Sequence, residues 1–375
     1  MDVTLAAEHQ ELRRHVTETL GDEIAPLIRR MADRPRHGAG PDDSEIRALV
    51  WQALLGTGAL SLNQSPVPGD RRGLRALAVL AERLGEVLYQ GPLLDTVLTS
   101  EALLRCAPGP GRDRFLKEIA GGASVAAAVR DGGVRPYDAP LTAGAAGDTV
   151  SAERRFVGFA AEADWLLIPG LTADGVHRTA LVRRDRPGVH LRRHEELGRG
   201  ELYAVRLTDA PVALWLTPEE DTEGARHELI ASARTLQAAY LVGLGRGALR
   251  LGTDRLKERR QFGGALARQQ APAFQLARLA TRVDAAHLLT QQAAWEGDTG
   301  RDHRLTAGQA LAMAAELARD TGRDVLHLHG AHGMLDAGDA QLFYRRATVE
   351  SRVLGSPAQV RADVLPLLLA RRPAD

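Results

Sequence analysis

Residues 255–275 read RLKERRQFGGALARQQAPAFQ, and this stretch decides how the chain is organised. On its N-terminal side Leu229, Ala233, Leu236, Tyr240, Leu244, Ala248 and Leu251 recur every three or four residues. Beyond it Leu276, Leu279, Val283 and Ala286 do the same. Side chains three and four apart share one face of a helix, so the spacing predicts two amphipathic helices. Gly263-Gly264 interrupts the pattern between them, because glycine weakens a helix and admits backbone angles that other residues avoid. Taken alone, this is a helical hairpin with Arg259, Arg260, Gln261 and Phe262 at its turn.

Outward from that hairpin the texture changes twice. Residues 1–120 read helical: Leu12, Val16 and Leu20 form one stripe, Ile46, Leu49, Leu54 and Leu55 a second, and Leu74, Leu77, Leu80, Leu84 and Leu88 a third. Residues 63–73 (NQSPVPGDRRG) read as a loop, since Pro66, Pro68 and Gly69 do not suit a helix interior. From Ser124 to Leu216 short runs of β-formers alternate with Gly, Pro and Asp: SVAAAVR, DTVSAE, WLLIPG, TALVRR, GVHLRR, LYAVRL and PVALWL. Short strands with turns between them predict a compact β domain rather than alternating βαβ units. A polar, acidic linker at 217–224 then returns the chain to helix. The expected class is α+β, with a helical domain at 1–120, a β domain at 121–218 and a helical-bundle domain at 225–375.

Composition narrows the function. The 375 residues carry 48 basic and 48 acidic side chains, so nothing calls for a nucleic acid or an anionic membrane as principal partner. Cys106 is the only cysteine, which rules out an internal disulfide and a cysteine metal cluster and suits a reducing compartment. The opening MDVTLAAEHQELRRHV is charged throughout, unlike a secretory leader, and the apolar run at 364–370 is far short of a bilayer span. A cytoplasmic protein is expected.

With these elements in place, the turn becomes more specific. Arg259, Phe262, Gly263, Gln270 and Gln275 match the R-x-x-F-G segment of the acyl-CoA dehydrogenases, which the chain resembles along its whole length. Trp51-x-x-Leu54-x-x-x-Gly58 followed by Glu82-x-x-Gly85 is similar to that family's N-terminal helical domain, although the usual P-E-x-x-G-G loop is absent. The resemblance implies an N-terminal helical domain, a middle β-barrel and a C-terminal four-helix bundle. It also implies FAD, an acyl-CoA or acyl-carrier-protein substrate, and an assembly with a second copy or a related subunit. Residues 154–165 (RRFVGFAAEADW) are similar to the family's strand beside the flavin, which places Phe156 near the ring and Gly158 where a hydroxyl often meets N5. Residues 325–334 (VLHLHGAHGM) resemble the Q-x-x-G-G-x-G turn that meets a partner's FAD. Gly330 and Gly333 match, with His327 for the glutamine and Ala331 for the second glycine. The H-x-H-x-x-H spacing there suits a metal poorly, and no metal is expected.

The resemblance also exposes a gap. Desaturation of an acyl thioester needs a carboxylate that removes the α-proton. Aligned on residues 346–360, the usual glutamate position is Gly355; the second position used in the family is Ala233. Neither carries a base. Arg234 matches the arginine lining the acyl pocket, and Glu350 reads as a surface carboxylate on a helix flank. The C-terminal wording is closest to an actinobacterial subset in which a subunit with the glutamate pairs with one lacking it. Three readings follow. One is an α,β-desaturating flavoprotein with an atypical or partner-supplied base. The second is a non-catalytic subunit of a heteromeric dehydrogenase. The third is another chemistry on the same fold, either flavin monooxygenation or flavin-free elimination or cyclisation. An assembly would also bury the alanine-rich face around 307–318 between subunits.

Overall fold

The computed structural model describes residues 7–33, 43–62, 73–130, 133–195, 197–198, 200–216, 222–335 and 338–370. Most of the expected loop at 63–73 and residues 217–221 of the expected linker lie outside this set. The first part is helical: α1 Ala7–Thr19, α2 Ile24–Ala32, α3 Asp43–Gly56, α4 Leu74–Glu86, α5 Leu93–Leu104 and α6 Pro110–Ala120. Val16, Leu20, Ile46, Leu54, Leu77, Leu80 and Leu84 are buried as the stripes predict. Leu49 is not, at 58% exposed. The inward face of α3 runs through Ile46, Val50 and Leu54, four residues apart, which turns Leu49 outward.

Helix α4 crosses the long α7 (Thr222–Glu258) at nearly bare backbone. A β-carbon on Gly85 would meet the Tyr240 carbonyl, and one on Gly243 the Glu82 carbonyl. Only glycine permits that approach, which explains Gly85 in the Glu82-x-x-Gly85 motif. The N-terminus of α4 takes its cap from far away in sequence. Asp298 Oδ1 accepts from the Gly73 and Leu74 amides at 2.9 and 2.8 Å, and Oδ2 from Arg75 at 3.1 Å. These are orphan donors of the first turn, and the carboxylate also suits the positive end of the helix dipole.

The middle region holds β1 Val125–Ala127, β2 Thr142–Ala143, β3 Thr149–Gly158, β4 Trp165–Leu171, β5 His177–Arg183, β6 Val189–His194 and β7 Leu202–Leu216. The expected barrel takes the form of one bent seven-stranded sheet, ordered β1-β4-β5-β7-β3-β2, with β6 also on β7. LYAVRL and PVALWL, two runs in the sequence, form the single strand β7. It pairs with β3 and β6 through its first part and with β5 through Val212–Leu216. Asp209, at φ 46°, and the following Pro211 bend it between partners without ending it. Inward-facing Val150, Val157, Leu166, Ile168, Val182, Val205 and Leu207 form this region's own core.

The last part comprises α7, α8 Gln270–Asp298, α9 Arg304–His329, α10 Asp339–Glu350 and α11 Pro357–Ala370. Helix α9 packs against α7, α8, α10 and α11, and the pair α10–α11 completes the expected four-membered bundle. That position overturns the expectation for the alanine-rich face. Ala307, Ala310, Ala314, Ala315 and Ala318 are already fully buried within the chain. Small side chains let α9 lie among its own neighbours, so this face is intramolecular core rather than subunit surface. Among the described residues, no helix is long and apolar enough to cross a membrane.

Candidate active site

The helical hairpin at 255–275 closes through β8 Arg260–Gln261 and β9 Gly264–Ala265, paired antiparallel. Its two-residue loop is Phe262-Gly263, both at positive φ (54° and 80°), the backbone of a tight hairpin turn. Glycine adopts that conformation freely; a phenylalanine does so only under strain. Phe262 is nevertheless 85% exposed. Leu256, Leu276 and Leu279 pack with Leu266 and with Leu328 of α9, which brings this turn to the end of α9. Arg259, Phe262, Gln270, His327, Gly330 and Ala331 therefore gather at one end of the bundle, all but the half-buried Arg259 exposed. Gly333 is buried, where a β-carbon would lie 2.6 Å from the Leu326 carbonyl oxygen. His329 Nδ1 lies 2.8 Å from the Val325 carbonyl oxygen. Among the described residues, no group of three His, Cys, Asp or Glu could hold a metal.

Phe156 and Gly158 belong to a second neighbourhood, at the end of β3. The Phe156 ring is partly exposed and lies 5.7 Å from the His194 ring. Gly158 is covered by Arg130, which follows β1. A β-carbon on Gly158 would lie 3.3 Å from Arg130 Nε. The place where the family often presents a hydroxyl therefore faces a guanidinium.

That guanidinium leads to Glu350, and here the sequence reading is corrected. Glu350 is 5% exposed, not a surface carboxylate. Its Oε2 lies 3.5 Å from Arg130 Nη1, Arg346 donates to Oε1 at 2.9 Å, and Gln237 donates to Oε2 at 3.0 Å. Burial alone would raise its pKa. The charges of Arg130 and Arg346 and the two hydrogen bonds outweigh burial and hold it below the ordinary glutamate value. Glu350 is an anchored anion, poorly suited to take up a proton at neutral pH.

The two positions without a carboxylate are both closely packed. Ala233 is buried on α7 beside Arg234. Gly355 has φ 109°, and a β-carbon there would lie 2.5 Å from Val134 Cγ1 and 3.2 Å from Val360 Cγ2. Space for a glutamate side chain has been taken up by Val134. On its other side Val134 lines a cleft of about 330 Å³ with Ile230, Ala231, Pro366 and Leu367. Arg135, Arg226, His227, Arg234 and Arg304 also line it, against Asp138, Glu223 and Asp363. Arg234 Nη2 donates to Asp363 at 2.5 Å, while its Nε is buried without a partner. Burial and the Arg226 charge lower the His227 pKa, so that ring is neutral at pH 7.

Residues 225–364 match the family described as Acyl-CoA dehydrogenase, C-terminal domain. The C-terminal helical part thus carries the match to that family, and relatives along the chain's length are acyl-CoA dehydrogenases. It is 29% identical over 321 residues to the acyl-CoA dehydrogenase FadE28 of Mycobacterium tuberculosis, an overlap covering 83% of this chain and 90% of that protein. The fold is shared with the ChsE4–ChsE5 complex from Mycobacterium tuberculosis, at TM-score 0.84 and 23% identity over the whole of both chains. It is shared equally with a glutaryl-coenzyme A dehydrogenase bound to glutaryl-CoA, at TM-score 0.85 and 22% identity over 99% of this chain and 98% of that one.

Sequence reasoning left out Arg130 and Gln237, although each leaves a trace. Arg130 ends the apolar run SVAAAV, and Gln237 interrupts the apolar stripe of α7. A polar residue within an otherwise apolar segment is the signal to look for.

Proposed function

We propose that this chain is a flavoprotein acting on acyl thioesters by α,β-desaturation, with a short, polar acyl group and no glutamate at the usual places. The cleft beside Arg234 is the observation that carries the reading. Val134 lines it and brings it next to Gly355, and its lining gathers four arginines and a neutral histidine against three carboxylates, a positive excess that suits the phosphate-bearing arm of coenzyme A or a carrier protein. The acyl group would meet Gln237, Glu350 and Arg130 one helical turn beyond Ala233. An ion-paired wall of that kind favours a small acyl chain with polar substituents over a fatty one.

Bound FAD would supply a two-electron acceptor for the substrate's β-hydrogen. The residues present fit it as two half-sites. Phe156 offers an exposed aromatic surface at the end of β3, and Arg130 over Gly158 offers a cation where a hydroxyl often stands. Phe262, Gln270, His327, Gly330 and Ala331 are exposed at the bundle's end beside the half-buried Arg259, where they would serve a neighbouring subunit's cofactor. That exposure also favours an assembly with a second copy or a related chain. The ChsE4–ChsE5 complex provides an example of two different chains joined on this fold.

Titration calorimetry with butyryl-CoA and succinyl-CoA, run beside an absorbance spectrum for bound flavin, tests the proposal. The parent should bind a thioester, and Arg234→Gln should weaken that binding about tenfold, near the net worth of one hydrogen bond to a charged group. Absence of both flavin and thioester binding would end this reading.

A further inference from the structure

The outer face of the β region carries a feature that no role above uses. Successive side chains of a strand point to opposite faces. On β3, β6 and β7 the inward set, Val157, Leu191, Val205 and Leu207 among them, packs on this region's core. The outward set is Glu153 and Arg155 on β3, His190 and Arg192 on β6, and Ala204, Arg206 and Thr208 on β7, all exposed but the half-buried Ala204. Strand register puts them in rows. Arg206 stands between Glu153 and His190, and Ala204 beside Arg192. On β3 the register shifts between Arg154 and Val157, a bulge that sets both Arg155 and Phe156 opposite Ala204. The short Ala204 thus lies between two arginines, and a groove of about 510 Å³ runs over these rows.

The charge of this groove is one-sided. Of the four arginines along it, Arg154 is buried and bonds inward to the Pro140 and Pro169 carbonyls, so Arg155, Arg192 and Arg206 supply the open cations. Glu153 is the one carboxylate in the lining, and Arg206 donates to it at 2.8 Å. Both partners are mostly exposed, so water screens the pair and leaves the Arg206 charge available to another anion. Among the described residues the side chains of His190 and Arg192 have no hydrogen bond or ion pair. The chain as a whole carries equal numbers of basic and acidic residues, so the excess is local.

We propose that this groove is the docking surface for a partner protein that presents a row of carboxylates. Arg155 and Arg192, on either side of Ala204, can each take a carboxylate in the paired geometry that a guanidinium favours. The short residue between them lets an acidic side chain reach in. Glu153 sets the class of partner. A nucleic acid would bring a uniform line of phosphates against it, and a chain with no net charge has none of the basic excess on which binding such a polymer relies. A protein surface can instead place a donor opposite Glu153 and carboxylates opposite the arginines, an alternation that also rejects wrong partners. Neither the thioester cleft nor the cofactor half-sites enter into this assignment.

The experiment is fluorescence anisotropy of a labelled octaglutamate peptide titrated with the full-length protein at low salt, with a single-stranded DNA of eight nucleotides as the competing class. The parent should bind the peptide saturably and lose most of that binding at about 0.15 M salt, where exposed charges are screened beyond about 8 Å. The double variant Arg155→Glu, Arg192→Glu should bind about tenfold or more weakly at unchanged melting temperature, since each reversal removes an attraction and adds a repulsion. Ala204→Glu fills the space between the arginines and adds a carboxylate while keeping every cation, and should weaken binding as well. Arg301→Glu, at the exposed turn between α8 and α9, should bind as the parent does. Absence of saturable peptide binding overturns the assignment, as does binding that survives both groove variants or falls equally in Arg301→Glu. Tighter binding of the DNA, lost in the same groove variants, overturns it too, because the groove would then serve phosphates.

Discussion

Two substitutions separate structural from chemical meaning. Gly355→Glu looks from the sequence like the repair of a lost base. In the fold it places a β-carbon at φ 109° against Val134 and Val360. Strain of about 1–3 kcal/mol for such a backbone is joined by a similar cost of overpacking. The variant should melt well below the parent and gain no α-hydrogen exchange; a stable variant with faster exchange would show that Val134 yields. Glu350→Gln removes the anion that Arg130 and Arg346 share, leaving buried cations uncompensated, and should cost about 3–5 kcal/mol. Its pH signature has a definite sign. The folded pKa of Glu350 is lowered, so its stabilisation is fully present above the unfolded value and is lost as pH falls through the folded one. Urea midpoints between pH 7 and 3 should therefore fall more steeply in the parent than in Glu350→Gln. Parallel curves would contradict the charge assignment.

At the scale of an element, the Phe262-Gly263 turn keeps a residue that is poor for its conformation. Glycine suits φ 54° without strain, and the phenyl ring has little to pack against within the chain. Phe262→Gly should leave stability unchanged or raise it by up to about 1 kcal/mol, since relief of backbone strain is opposed by the extra freedom of glycine in the unfolded chain. Flavin retention should fall, because the ring is the group turned towards a neighbour. Calorimetric melting together with flavin absorbance checks both halves. A large loss of stability with full flavin retention would make the ring structural.

For the whole molecule, the apolar surface at the bundle's end calls for cover. Phe262, Phe274, Met334 and Leu335 are each more than half exposed. Such a concentration is unusual on a chain that stays alone in water, and burying it between subunits would contribute about 25 cal/mol for each Å² covered. Light scattering should find a dimer or larger assembly, with a related chain where the protein does not assemble with itself. Phe274→Asp should shift the population towards monomer and lower flavin content together. A monomeric parent retaining a full complement of flavin would refute this arrangement.

The sequence by itself determined the order helix, β, helix, because hydrophobic period and turn residues are local properties that each segment carries alone. It also pointed to the acyl-CoA dehydrogenases through Arg259, Phe262 and Gly263, and showed that Gly355 and Ala233 bear no carboxylate. It did not reveal that Glu350 is buried, since a helix-flank position leaves its orientation open until α7 and β1 pack against it. It misassigned 307–318, because a small apolar face fits a neighbouring helix of the same chain as well as another subunit. Only the tertiary structure brought Arg130, Gln237 and Glu350 from three separate segments into one neighbourhood. The charge state of Glu350 depends on burial and on Arg130 and Gln237, both more than a hundred residues away, and neither is encoded in local pattern.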